Sequence, residues 1–514
     1  MHSFIKESWY EILVTTIYII NFLAIINLIF REKRSIEATV AWVLVLTTAP
    51  AIGCILYIAV GRGISKNNMF KIKEAEDKIL KENIIDTQIK LDRNDNFEPN
   101  LIGYKDMIYA LANSNNSHFT TNNDVEIFPE PNDFFESLLE ELKKALHHIN
   151  IQFYIFKDDE IGNKIIDILI DKAQNGVEVR LLYDAVGSRL FSDKSIHKLK
   201  KSGVKVGAFF PSFMKVINFN LNYRNHRKIV VIDGNVGFIG GNNIGDEYLG
   251  KDPKFGYWRD THLKITGDSV KDLNIRFILD WRYTTKEDLV LDKYFGNETL
   301  RLSNSKACKD IGIQIVSSGP DSTELDEIKY GYIKMIQKAK KYIYIQTPYF
   351  ILDKTLTDTL KIACFSGVDV RIMIPSKPDH PFVYWASSSY AGELLKYGAK
   401  LYNYDHNAFL HAKTIVVDDC VCSIGTANMD IRSFELNFEI NAFMYSSEGS
   451  GTYNFNSTDN KVTYGVELTN TGTTGRNPDK QYQYYDVDSY ITDEKNANAN
   501  EAYVKDRYKD TKFL

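Results

Sequence analysis

Two stretches of the 514-residue chain set a histidine two residues ahead of a lysine, and each continues to an aspartate, a glycine and an asparagine at matched distances. The first is His226-Arg-Lys228-Ile-Val-Val-Ile-Asp233 with Gly240 and Asn243, and the second is His411-Ala-Lys413-Thr-Ile-Val-Val-Asp418 with Gly425 and Asn428. Subtraction at the five positions (411−226, 413−228, 418−233, 425−240, 428−243) gives 185 each time. An imidazole serves as a nucleophile or as a general acid and base, and an ammonium group neutralises an anion. Two of each, brought together, make a two-sided site around one anion.

The four residues after each lysine read as a buried strand, whose side chains alternate with period two. His226 and Lys228 then share a face, as do His411 and Lys413. Asp233 and Asp418 have the opposite parity and stand where the strand enters a turn (Asp233-Gly234, Asp418-Asp419), which suits a supporting role. A lone His-x-Lys at a strand start is also what a solvated edge looks like, and the second matched copy argues against that.

With their flanks, the motifs resemble those of the phospholipase D superfamily, and within it the bacterial cardiolipin synthase family. The similar stretches are Tyr223-Arg-Asn-His-Arg-Lys228, Tyr257-Trp-Arg-Asp260, Ser318-Gly-Pro-Asp321, Gln346-Thr-Pro-Tyr-Phe350 and Arg432-Ser-Phe-Glu-Leu-Asn-Phe-Glu439. The resemblance runs from about residue 10 to about residue 445. It implies phosphatidyl transfer between phosphatidylglycerol molecules, with His226 as the nucleophile that forms a phosphohistidine and His411 as acid and then base. The residues alone allow the reverse assignment.

A phosphodiester resists attack because the nucleophile meets an anion and the alkoxide is a poor leaving group. Lys228 and Lys413 are expected to neutralise that charge, the part a metal ion plays in many phosphoryl enzymes. No cluster in the sequence has metal-ligand spacing and no G-x-x-x-x-G-K-[ST] loop is present, so no metal and no other cofactor is expected. Asn243 and Asn428 can donate amide hydrogens to the same oxygens. A carboxylate should hold each imidazole by its other nitrogen, and Asp233, Asp418, Glu247 and Glu439 are the candidates. Glu247 beside Asp246 is equally readable as a solvated acidic loop residue.

Composition narrows the partners. The hydrophobic fraction of 44% supplies a large core, while a net charge of −5 and a pI near 6.1 argue against a nucleic-acid partner bound through bulk positive charge. Five cysteines, at 54, 308, 364, 420 and 422, fit neither a disulfide framework nor a zinc site. Residues 12–30 and 38–60 carry no charge, and about twenty apolar residues cross a bilayer core as a helix. They predict a two-span hairpin in a cell membrane, with a kink expected at Pro50. The lysines and arginines after the second span (Arg62, Lys66, Lys71, Lys73) slightly outnumber those in the short loop (Arg31, Lys33, Arg34), which favours a cytoplasmic catalytic region. Oligomeric state is left open.

The expected organisation is a hairpin over 1–62, a charged stalk and connector over 63–120, two pseudo-symmetric halves over 121–290 and 291–445, and a polar tail over 446–514. Alternating strands and amphipathic helices predict an α/β fold in which each half is a mixed, mainly parallel sheet flanked by helices. Gly176-Val-Glu-Val-Arg-Leu-Leu182 matches Gly367-Val-Asp-Val-Arg-Ile-Met373, and Ile151-Gln152 matches Ile345-Gln346, so the repeat is wider than the motifs. Phe209-Phe-Pro-Ser-Phe213 is either a loop over the site or core. Water as the acceptor would make a hydrolase, and another alcohol a different phosphatidyltransferase. A nuclease of the superfamily would more often carry one motif per chain, and a non-enzymatic scaffold would have lost one of the four key residues.

Overall fold

The structure is a computed structural model that describes residues 2–30, 36–57, 77, 103–211, 223–295, 311–321, 326–377, 379–404, 408–445 and 482–485. Of the charged stalk and connector expected over 63–120, residues 63–102 therefore lie outside the described residues apart from Asp77, as does most of the tail. The chain divides into two compact units, one holding the N-terminal helices and the other holding both motifs.

In the first unit the helix His2–Phe30 contains a 20-residue apolar window, Glu11–Phe30, of mean hydropathy 2.3. At 1.5 Å per residue this length spans roughly 30 Å, the thickness of a bilayer core. The second apolar stretch is not one continuous span. It breaks into Ile36–Thr48 and Pro50–Leu56, so Glu11–Phe30 alone among the described helices is long and apolar enough to cross. Pro50 is the cause, since it has no N–H to give the carbonyl four residues back. That carbonyl, on Leu46, accepts instead from Asn21 Nδ2 at 3.2 Å, and the same amide reaches Pro50 O at 2.9 Å.

The second unit is built on two sheets with one plan. In the first half the strand order is Asn123–Phe128, His262–Gly267, Val236–Gly240, Ile229–Ile232, His148–Phe153, Glu178–Asp184, Lys205–Phe209. In the second it is Gly312–Ser318, Asn437–Tyr445, Val421–Gly425, Thr414–Val417, Tyr342–Gln346, Asp369–Ile374, Lys400–Tyr404. Short strands extend this sheet at both edges, Phe119–Thr120 on one side and Tyr482–Tyr485 on the other.

The sheets are mixed, but the expected parallel majority is wrong. In each half the first four neighbouring pairs in that order are antiparallel and only the last two are parallel. One of the antiparallel pairs in each half follows from the turn after its motif strand. Asp233 and Gly234 have φ of +54° and +69°, and Asp418 and Asp419 have +54° and +60°. Two successive positive φ values make the tight hairpin that returns the chain antiparallel, whereas parallel neighbours need a crossover helix.

Helices cover the sheets as their amphipathic spacing requires. Glu160–Gln174 buries Ile161, Ile165, Ile166 and Leu169 in the first-half core, and Asp159 caps it by accepting from Gly162 N at 3.2 Å. Part of the stretch read as connector is also core. The helix Lys105–Asn115 places Met107, Ile108 and Leu111 among the buried residues of the second half. Phe209 and Phe210 are buried against Phe438 and Tyr283, which makes them core, and residues 212–222 lie outside the described residues.

Candidate active site

Each motif histidine sits just ahead of its strand, on a segment that pairs with the opposite half. Arg224–Asn225 runs parallel to the start of Asn437–Tyr445, and Ala408–Leu410 runs parallel to Tyr257–Arg259. The backbone N–H of His226 donates to Phe438 O at 2.9 Å, and that of His411 donates to Arg259 O at 2.7 Å. The halves are therefore stitched together at the histidines themselves.

The residue following each of those carbonyls is a buried carboxylate. His226 Nδ1 lies 2.9 Å from Glu439 Oε2 and 3.0 Å from Oε1, and His411 Nδ1 lies 2.6 Å from Asp260 Oδ2. Each half thus orients the histidine of the other. Glu439 and Asp260 are repeat partners: Gly240 pairs with His262 and Gly425 with Asn441, and 441−262 and 439−260 both equal 179. A carboxylate at Nδ1 fixes the tautomer with the proton on that nitrogen and leaves the lone pair at Nε2.

The carboxylates are themselves held. Thr426 Oγ1 donates to Glu439 Oε2 at 2.6 Å and Asn437 Nδ2 to Oε1 at 3.1 Å, while Thr261 N donates to Asp260 Oδ1 at 2.7 Å. Burial alone would raise both acids. For Glu439 it is outweighed by His226, Lys228 and Thr426, and for Asp260 by Lys413 and His411, so both lie below the ordinary carboxylate value.

Lys228 Nζ donates to the carbonyl of its own His226 at 2.7 Å, and Lys413 Nζ donates likewise to His411 O. Each ammonium keeps further N–H donors for an anion. Burial, with the other lysine adding to it for Lys228, pushes Lys228 down to about 7, and burial pushes Lys413 down to about 8. The histidines are lowered to about 4, again chiefly by burial, against the pull of Glu439 and Asp260. Lys413 acts on His226 and Lys228 on His411, so the four groups form one electrostatic cluster.

The remaining expected residues separate clearly. Asp233 and Asp418 do not touch an imidazole. Asp233 accepts from the amides of Leu146, His147 and His148 at 2.7–2.8 Å, and Asp418 from those of Lys340, Lys341 and Tyr342 at 2.6–2.8 Å. Five residues of extended chain, roughly 16 Å, separate each from its lysine. Glu247 pairs with Lys157 Nζ at 2.5 Å, not with an imidazole. Asn243 spends its amide on Tyr248 OH at 2.9 Å and its carbonyl on Ile155 N at 3.1 Å. It thereby supports Tyr248, whose ring lies 6.5 Å from that of His411. Asn428 is buried, with an Oδ1 that has no hydrogen-bond partner. The motif glycines permit close strand approach: a Cβ at Gly240 would lie 2.5 Å from His262 Cα, and one at Gly425 would lie 2.4 Å from Ile440 O.

Asp260 was not among the residues singled out from the sequence. Nor was Arg227, between His226 and Lys228, which forks onto buried Asp280 at 2.7 and 2.8 Å and donates to Glu439 O at 3.1 Å. Among the described residues no three His, Cys, Asp or Glu side chains gather as a metal-ligand set.

Comparison with known proteins matches this architecture. The family model described as cardiolipin synthase, PLD-like domain, matches residues 138–253 and 332–456, and a phospholipase D-nuclease N-terminal model matches residues 19–62. The chain is 47% identical over 441 residues to the cardiolipin synthase of Oceanobacillus iheyensis, covering 85% of this chain and 90% of that one. It is 48% identical over 439 residues to the major cardiolipin synthase ClsA of Bacillus subtilis, covering 85% and 89%. A crystal structure of phosphatidylserine synthase from Haemophilus influenzae superposes with a TM-score of 0.52 at 18% identity, over 66% of this chain and 86% of that one, which speaks for the fold. With identity near one half over most of both chains, and two matched halves that each complete the other's histidine, the chain belongs to the cardiolipin synthase family of the phospholipase D superfamily.

Proposed function

We propose that the chain condenses two phosphatidylglycerol molecules into cardiolipin and glycerol through a phosphatidyl-enzyme intermediate. The observation that carries this is the crossed pair of His–carboxylate contacts, which supplies two imidazoles with defined tautomers beside two buried lysines. His226 Nε2 attacks phosphorus, and the bond to the glycerol oxygen breaks as His411 protonates it. The hydroxyl of a second phosphatidylglycerol then attacks, giving its proton to His411 as the P–N bond breaks. Lys228 and Lys413 neutralise the phosphoryl oxygens in both steps. One primary alcohol replaces another, so the exchange is close to thermoneutral and needs no nucleotide.

The N-terminal helix places this chemistry at a membrane. In this proposal the second apolar stretch also crosses, despite its break at Pro50, and the catalytic region faces the cytoplasm.

Purified protein in mixed micelles with phosphatidylglycerol as the only lipid substrate should yield cardiolipin and glycerol in equal amounts. Phosphatidic acid without cardiolipin would identify a hydrolase and reject the proposal.

A further inference from the structure

The helix Pro381–Leu395 begins at the edge of the histidine cluster. Asp379, just ahead of it, bonds the hydroxyl of Tyr349 and is felt electrostatically by Lys413. Its inner face is anchored: Ala391 and Leu394 are buried in the second-half core, and Ser387 Oγ accepts from Phe350 N at 3.0 Å.

The outer face is graded along its length. The exposed positions are Phe382, Trp385, Ser389 and Glu393, with Lys396 just beyond the helix, one stripe at helical spacing. The end beside the site carries the two aromatic rings, 82% and 55% exposed and in edge contact at 5.6 Å. The far end carries charge, and Glu393 there pairs with Lys361 at 2.7 Å. Just before the aromatic end stand Lys377 and the exposed His380, while Asp379 is turned to Tyr349.

Aromatic side chains next to a lysine, passing along one stripe to hydroxyl and then to paired charge, match the polarity gradient of an anionic bilayer surface. We propose that Phe382 and Trp385 dip into the surface of a phosphatidylglycerol-containing bilayer and hold the mouth of the site against it. This deepens the lipid-transfer reading and rests on it. Its consequence is that a lipid reaches Lys228 and Lys413 without its acyl chains crossing open water.

The test uses the full chain and the double variant Phe382→Ser/Trp385→Ser, both at exposed positions. The expected result is about a tenfold loss of cardiolipin formation from phosphatidylglycerol vesicles, with unchanged turnover of a short-chain phosphatidylglycerol below its micelle concentration. Equal rates on vesicles, or equal losses on both substrates, would overturn the proposal. Turnover of the monomeric lipid by the unsubstituted protein tests the lipid-transfer reading separately. A second measurement is quenching of tryptophan fluorescence by lipids brominated near the headgroup. Trp385→Phe should remove a quenched component, and an unchanged quenched fraction would place Trp385 away from the bilayer. A shift in oligomeric mass for the double variant in detergent, with vesicle activity retained, would assign the patch to a second copy of the chain and refute the bilayer contact.

Discussion

Asp260→Asn keeps the shape of the side chain while removing its charge. In the structure Asp260 is fully buried, with one oxygen 2.6 Å from His411 Nδ1 and the other accepting from Thr261 N. Burial holds His411 down at about 4 and Asp260 pulls the other way, so Asp260 is the group that supports the protonated form the acid step needs. Breaking one partner of a buried charge pair costs about 3–5 kcal/mol. At 1.36 kcal/mol per tenfold, turnover should fall by roughly two to four orders of magnitude. The assay is cardiolipin formation from phosphatidylglycerol in mixed micelles, with circular dichroism confirming the fold. A second readout separates positioning from packing: Asp260 raises Lys413, so the alkaline limb of the pH–rate profile should move to lower pH in the variant. A variant with a threefold loss or less and an unmoved limb would refute the crossed-carboxylate mechanism.

Other outcomes follow from the same contacts. Asp418→Asn leaves backbone amides of residues 340–342 without their charged acceptor and should lower the melting temperature, while the folded fraction keeps near-normal turnover; a catalytic collapse with unchanged stability would return this aspartate to the chemistry. Gly425→Ala should destabilise by roughly 1–3 kcal/mol, because its Cβ would meet backbone at 2.4 Å, and a calorimetric melt checks this. With Lys228 and Lys413 near 7 and 8 in the free protein, kcat/KM should fall as pH rises through 7–8. The kcat limb should lie higher, because a bound anion favours both ammonium groups; a kcat/KM flat to pH 9.5 would contradict this. His226 and His411 are lowered to about 4 from an ordinary 6.5, so the unfolded chain binds more protons between those values. Their contribution to stability is lost as pH falls from 6.5 to 4, and a melting temperature that rises on acidification across that window would contradict it.

The doubled motif was legible because a fixed offset needs no structure to be seen, and strand parity set Asp233 and Asp418 off the face that carries the histidine and lysine. Their actual role, capping three amides of a neighbouring strand, was not legible, since the partners lie 85–87 and 76–78 residues away in the chain. Glu439 stood among the candidate carboxylates. Asp260 did not, because it precedes its strand and the repeat offset shifts from 185 to 179 between the motif and this point. The signal was there in the equal spacing of Asp260 to His262 and Glu439 to Asn441. The excess of parallel pairing expected from alternating helices and strands failed at Asp233-Gly234, a pair with the left-handed backbone that a hairpin requires.

The central claim is that one histidine from each half serves a single site. Phosphatidylglycerol carrying ³²P, mixed with the protein and quenched in alkali during turnover, tests it directly. Acid-labile label is expected on the peptide containing His226, at no more than one per chain, and none in His226→Ala. Label on both motif peptides, or turnover that persists in His226→Ala, would contradict it.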